Sequence, residues 1–222
     1  MKICVIGLGY IGLPTALLLS RNYSVQGCDV NPDIVKNINH KILPFHEPGL
    51  EELLESSDIQ ASTKPVPSDV FLICVPTPFD KDIKMADLKF VVNALESIGP
   101  VLQKGNMIII ESTITPGTCE KIAIPIIEKT GLKVGNDIDL VHCPERAIPG
   151  QTIHEMIHND RVIGGIDKKS AERAGTIYRS FVKGNLYFTD IRTAEFVKLM
   201  ENTYRDVNIA LANEFAILSE EM

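Results

Sequence analysis

The sequence predicts an α/β protein: a doubly wound parallel sheet followed by one long helix. Three observations carry this. Apolar runs of strand length alternate with longer segments of helical period. A glycine-rich turn, Gly7-Leu8-Gly9-Tyr10-Ile11-Gly12, separates the first such run from the first helical segment. Thr193–Glu221 contains neither glycine nor proline, and its apolar residues recur at helical spacing.

In chain order, Lys2–Ile6 reads as a strand, Ile11–Ser20 as a helix and Ser24–Cys28 as the second strand. Pro32–Ile38 reads as a helix, with Asn31 as its cap and Pro32 at its first position. Val70–Val75 and Met107–Ile110 are expected to be buried strands, with helices over Leu88–Leu102 and Cys119–Lys129. Ile138–Val141 and Arg161–Ile163 follow as strands, Lys168–Phe181 as a helix and Leu186–Thr189 as a last strand. The final segment, from Thr193, is apolar around much of its circumference (Phe196, Val197, Leu199, Met200, Val207, Ile209, Leu211, Phe215, Ile217, Leu218), so something is expected to bury it.

The 222 residues are 45% hydrophobic and 23% charged, a soluble globular profile. A net charge of −7 argues against a general role on nucleic acid or an anionic membrane, both of which need a basic face. No apolar run approaches the ~20 residues that span a bilayer, and the start of the chain does not read as a signal peptide. Cys4, Cys28, Cys74, Cys119 and Cys143 are scattered and odd in number, without CxxC spacing. They read as reduced thiols of a cytoplasmic protein, with no disulfide framework and no metal site. His142, His154 and His158 form at most a loose cluster and are expected to be structural or surface residues.

The glycine turn is a GxGxxG fingerprint placed where its mechanism requires, between a strand and a helix. Gly7 allows the tight turn, Gly9 lets the backbone approach a pyrophosphate, and Gly12 lets the helix pack close to the strand. The helix N-terminus offers free N–H groups to the phosphates. Asp29, at the end of the second strand, can accept hydrogen bonds from ribose hydroxyls and repel a 2′-phosphate. The fold is therefore expected to be Rossmann-type, and the cofactor NAD.

Later motifs narrow the substrate. Glu47-Pro48-Gly49-Leu50-Glu51-Glu52-Leu53-Leu54 reads as a turn and an acidic helix start with no evident chemistry. Cys74-Val75-Pro76-Thr77-Pro78 and Glu111-Ser112-Thr113 end strands at the edge where the ligand crevice belongs, and Pro116-Gly117-Thr118 opens a helix. Cys143-Pro144-Glu145-Arg146-Ala147-Ile148-Pro149-Gly150 follows another strand. Lys198, Asn202 and Arg205, at i, i+4 and i+7, fall on one stripe of the long helix, which suits a sugar diphosphate. On spacing alone a solvated polar stripe is the better reading; Glu145, after a proline at a strand end, can face the crevice, the plainer alternative being a surface carboxylate paired with Arg146.

Together these segments resemble the UDP-glucose/GDP-mannose dehydrogenase family over the whole chain. Within it, HCPERAIPG (142–150), HNDRVIGG (158–165), VPTPF (75–79) and RTAEFVKLMENTYRDVNIALANE (192–214) are similar to UDP-N-acetyl-D-mannosamine dehydrogenases. UDP-glucose enzymes usually carry PEFLxEG, whereas here Arg146 replaces the Phe and Pro149 a second Glu.

The resemblance implies oxidation of a sugar C6 alcohol to a carboxylate, for polysaccharide biosynthesis, at the expense of two NAD. It implies cofactor contacts at Gly7, Gly9, Tyr10, Ile11, Gly12, Asp29, Thr77 and Thr113. Lys198 and Asn202 would act at the reacting oxygen. Glu145 and Thr113 would position and deprotonate the water that hydrolyses a thioester. Substrate contacts would be Arg146, Ala147, Lys198, Asn202 and Arg205. It further implies a Rossmann domain over 1–191 and, from 192, the start of a helical dimerisation domain, hence a homodimer acting on a UDP-sugar.

The family's nucleophilic cysteine lies in a Gly-Gly-His-Cys segment that this sequence does not contain. The chain is thus expected to be the amino-terminal part of a longer enzyme, without turnover alone. Three other readings stay open: an NAD-binding, dimerising module without turnover, a UDP-glucose or UDP-N-acetylglucosamine dehydrogenase, and a hydroxyacid or 6-phosphogluconate type. CPERAIPG speaks against the last.

Overall fold

A computed structural model describes residues 1–82 and 84–222. The amino-terminal half runs β1 (Lys2–Ile6), α1 (Gly12–Ser20), β2 (Ser24–Cys28), α2 (Pro32–Asn39), α3 (Leu50–Ser56), β3 (Gln60–Ser62) and β4 (Val70–Ile73). A small hairpin, β5 (Phe79–Asp80) and β6 (Met85–Ala86), precedes α4 (Lys89–Ile98) and β7 (Met107–Ile110). After α5 (Ile124–Glu128) come β8 (Asp139–His142), α6 (Thr152–His158), β9 (Arg161–Gly165), α7 (Lys168–Tyr178), β10 (Leu186–Asp190) and α8 (Ile191–Glu221). Among the described residues no helix is long and apolar enough to cross a membrane.

Eight strands form one sheet in the order β10-β9-β8-β7-β4-β1-β2-β3. Successive strand residues feed opposite faces, so both faces are buried. Ile3, Val5, Leu72 and Ile109 pack on one side with α1 and Tyr178 of α7. Cys4, Ile6, Phe71, Ile73, Ile108 and Ile110 pack on the other with α4 and Ala123.

The sheet departs from the parallel expectation at one place: β9 runs antiparallel to β8, through Val141↔Gly165 and His142↔Gly164, and β10 lies parallel to β9. Residues 143–160 stay at the carboxyl edge, with only the seven-residue α6 among them, so the chain re-enters the sheet from that edge. Arg161, the first residue of β9, thereby lands beside the carboxyl ends of the parallel strands.

Four elements lacked a clear sequence signal: β3, the β5–β6 hairpin, α6 and most of α3 are too short for a periodic pattern to emerge. The segment expected as a helix over Leu88–Leu102 ends at Ile98, where Pro100 converts the next turn to 3₁₀ geometry. The helix expected from Cys119 opens with a wide π turn, Cys119–Ala123. Pro125 has no N–H for the i−4 carbonyl, and the wider turn accommodates that loss. The long helix starts two residues before Thr193, because Asp190 caps it: its Oδ1 accepts from Thr193 N at 2.9 Å.

Glu47 acquires a physical role. It is buried, and its two oxygens accept from Gly150 N (3.0 Å) and Thr152 N (2.9 Å), fastening the turn that opens α6. Burial opposes the charge, but these amides outweigh it and hold the carboxyl below its usual range.

Candidate cofactor and active site

The parallel strands end at one edge, and the motifs gather there. Gly7 adopts φ +89°, and a Cβ on it would lie 2.7 Å from the Cys74 carbonyl oxygen. A Cβ on Gly12 would overlap the Gly7 carbonyl, so the start of α1 packs against the turn as a glycine alone allows. Gly9 is different: a Cβ there meets nothing within 4 Å, which leaves the backbone open to a ligand. No side chain caps α1 among the described residues. An uncapped helix start above an open glycine fits a pyrophosphate.

A cavity of about 390 Å³ runs from Gly9, Tyr10 and Ile11 past Cys74–Thr77 to Glu111, Ser112, Thr113 and Glu145. Six of the expected contacts (Gly9, Tyr10, Ile11, Thr77, Thr113, Glu145) thus line one space. Tyr10 is half exposed and packs against Phe45 with centroids 4.2 Å apart and the rings tilted by 31°. Asp29 stands at the end of β2 and is already engaged: Oδ2 accepts from Leu8 N (2.8 Å) and Oδ1 from Asn31 N (2.9 Å). It braces the glycine turn, and a carboxylate's remaining lone pairs can still meet ribose hydroxyls.

Glu145 is buried, and the plainer alternative of a surface pair with Arg146 does not form. Its Oε2 pairs with the guanidinium of Arg161, while Oε1 accepts from the backbone N–H of Arg146 (2.6 Å) and Ala147 (2.9 Å). The Arg146 side chain instead pairs with Glu201 of α8 at 2.5 Å and donates to the Asp160 carbonyl.

Arg161 also lies 3.5 Å from Glu111 and sits over the rings of Tyr178 (4.7 Å) and Phe181 (5.4 Å). Glu111 collects donors from Tyr178 Oη (2.6 Å), Cys74 Sγ (3.2 Å) and Thr15 Oγ1 (3.3 Å). Burial raises the Glu111 carboxyl, Arg161 pulls it down and Glu145 pushes it up again. One guanidinium thus serves two buried carboxylates.

Lys198 is 8% exposed, and its Nζ donates to the Glu145 carbonyl at 2.6 Å. Burial, with Arg205 and Arg146 nearby, holds this amine below the usual lysine range against the opposing pull of Glu145 and Glu201. Asn202 and Arg205 lie further along α8 and are exposed. Arg205 and Arg146 line a second, open groove of about 580 Å³ between α8 and α6. The expected site therefore divides into a cofactor cavity and a groove along α8, which meet at Glu145-Arg146.

His142 is fully buried with neither ring nitrogen hydrogen-bonded, and burial pulls it down to about 4. His154 and His158 stack on the surface of α6 at 4.3 Å. All five cysteines are unpaired; Cys143 is buried, and its thiol is pushed up to about 12 by burial. Burial thus disfavours the thiolate form that a nucleophile needs.

Arg161, Tyr178 and Glu195 lay outside the sequence-derived site. The available signal was a charge opening an apolar strand, at Arg161, and a carboxylate on the inward side of a helix, at Glu195.

An open glycine turn, an uncapped helix start and an acid closing the second strand define a dinucleotide-binding α/β domain with buried ionisable side chains at its carboxyl edge. Residues 1–182 match the NAD binding domain of the UDP-glucose/GDP-mannose dehydrogenase family, and residues 192–222 match that family's central domain. The chain belongs to this family. It is 52% identical over 228 residues to a UDP-N-acetyl-D-mannosamine dehydrogenase of Methanococcus aeolicus, covering 100% of this chain and 51% of that protein. The UDP-N-acetyl-mannosamine dehydrogenase Cap5O from Staphylococcus aureus superposes with a TM-score of 0.88 at 49% identity, over 97% of this chain and 54% of that one. A ternary complex of GDP-mannose dehydrogenase from Pseudomonas aeruginosa gives 0.91 at 30% identity, over 96% and 52%. The chain spans about half the length of the curated relatives it matches.

Proposed function

We propose that this chain is the cofactor-binding part, and one wall of the substrate pocket, of an NAD-dependent UDP-N-acetylmannosamine 6-dehydrogenase. One observation carries the reading. Glu145 and Thr113 line one cavity with the open Gly9 turn, and the Lys198 amine donates to the Glu145 carbonyl, in a chain about half identical to enzymes bearing that name.

The glycine turn and the start of α1 hold the pyrophosphate, and Asp29 holds the adenine-side ribose. When bound there, NAD would supply the hydride acceptor for the sugar's C6. The Lys198 amine, fixed by the Glu145 carbonyl and depressed by burial, takes the proton of the C6 hydroxyl with Asn202 beside it. Glu145 and Thr113 line one cavity and orient water for the hydrolytic step. Arg205, Arg146 and Ala147 face the sugar diphosphate. The nucleophilic cysteine and the grip on uridine come from a Gly-Gly-His-Cys-bearing part that is not in this sequence. The division at 191/192 follows the same reading, with α8 opening the dimerisation domain.

NAD is expected to bind at least about tenfold more tightly than NADP, since a 2′-phosphate would meet the Asp29 carboxylate. Calorimetric titration of both dinucleotides checks this, and equal affinities would remove Asp29 from the argument.

Self-association is the second expectation. Every residue of α8 from Asn202 onward is exposed, including Tyr204, Val207, Leu211, Phe215 and Leu218. At roughly 25 cal/mol per Å² of apolar surface, covering this face favours a homodimer. Sedimentation should show mass rising with concentration; a monomer at every concentration would refute it.

A further inference from the structure

Glu195 is fully buried on α8, one turn before Lys198. Its Oε2 accepts from Gly117 N at 2.5 Å and its Oε1 from Cys119 N at 2.8 Å. No lysine or arginine pairs with it among the described residues; its partners are the two amides where the helix beginning at Cys119 opens. A buried carboxylate is costly where packing alone is needed, and an apolar side chain would fill the same space without that cost. The segment it grips matters: Gly117 lies four residues beyond Thr113, which lines the cofactor cavity, and turns at φ +88°. Lys198, three residues beyond Glu195, reaches the Glu145 carbonyl. The first turns of α8 thus hold both loops that close the cavity, one through Glu195 and one through Lys198.

We infer that Glu195 is a positioning residue: its carboxylate clamps the Thr113–Cys119 segment to α8 and so sets Thr113 against the cofactor and in register with Lys198. The inference rests on the reading of Thr113 as a cofactor contact.

A double-mutant cycle on the 222-residue chain, read as NAD affinity by calorimetry, tests it. Thr113→Ala is expected to weaken NAD severalfold. Glu195→Gln, which keeps the shape but sets an NH₂ against one of the amides, is expected to weaken it by up to the same factor. The double variant should be no weaker than the worse single one, because Glu195 acts through Thr113. Hydrogen exchange should quicken at the amides of residues 113–119 in Glu195→Gln, while the β1 and β7 amides stay protected. Glu195→Asp, charged but one methylene shorter, serves as the milder variant should Glu195→Gln not fold, and the same coupling is expected of it. Unchanged NAD affinity in the Glu195 variants, or losses that simply add in the double variant, would overturn the inference while leaving the site reading intact. No effect of Thr113→Ala would overturn the cofactor role of Thr113, and the inference with it.

Discussion

Mixing the chain with a carboxy-terminal half that carries the Gly-Gly-His-Cys segment is expected to switch on NADH production from UDP-N-acetylmannosamine. Lys198→Ala is expected to cut that rate again by roughly 10²–10⁴-fold, the usual worth of a placed acid–base group. Alone, the chain should bind NAD with negligible turnover. Holding C6 in line with the cofactor and the base is worth ~7–11 kcal/mol of barrier, and this chain offers one wall of that pocket. Lys198 suits the base role because burial holds its amine below the usual lysine range while the Glu145 carbonyl fixes its nitrogen at 2.6 Å. The depressed amine sets the sign of the pH profile. The rate of the first oxidation should climb with pH as Lys198 loses its proton, with a midpoint below that of ordinary lysine, and Lys198→Ala should flatten that limb. An enzyme-like rate from the 222-residue chain alone, or an unaltered profile in Lys198→Ala, would refute this.

Arg161→Leu is expected to destabilise the folded chain by about 3–5 kcal/mol at neutral pH. Glu111 and Glu145 are both buried, and Arg161 is the cation within salt-bridge distance of each. Removing it leaves Glu111 without its counterion in the core, beside the like charge of Glu145. The pH dependence follows from the direction of the Glu111 shift. Burial already raises that carboxyl in the folded state, and losing Arg161 removes an opposing influence. A carboxyl raised on folding contributes stability below its unfolded value and loses it as pH rises through the folded one. The deficit of Arg161→Leu should therefore shrink as pH falls from 7 toward the carboxylate range. Urea midpoints at several pH values measure it, and a loss independent of pH would show that the cost is packing over Tyr178 and Phe181, not charge. Adding Glu111→Leu to Arg161→Leu should recover part of the loss.

The sequence by itself determined the parallel βα framework, the glycine turn with Asp29, and the placement of Thr77, Thr113 and Glu145 at strand ends. Each of these is a local property: period, turn chemistry, or position relative to a strand's end. Tertiary structure decided the partners. Arg161 meets Glu145 because the short passage through residues 143–160 turns β9 against β8, and pairing across 16 residues leaves no periodic trace. Glu195 reaches Gly117 and Cys119 across more than 70 residues for the same reason. The i, i+4, i+7 stripe of α8 was legible as spacing. Whether its members are buried was not: docking on β9 hides Lys198, while Asn202 and Arg205 lie beyond that contact and stay exposed. A carboxylate's chemistry depends on which charges share its low-dielectric surroundings, and those neighbours are assembled by folding from distant parts of the chain.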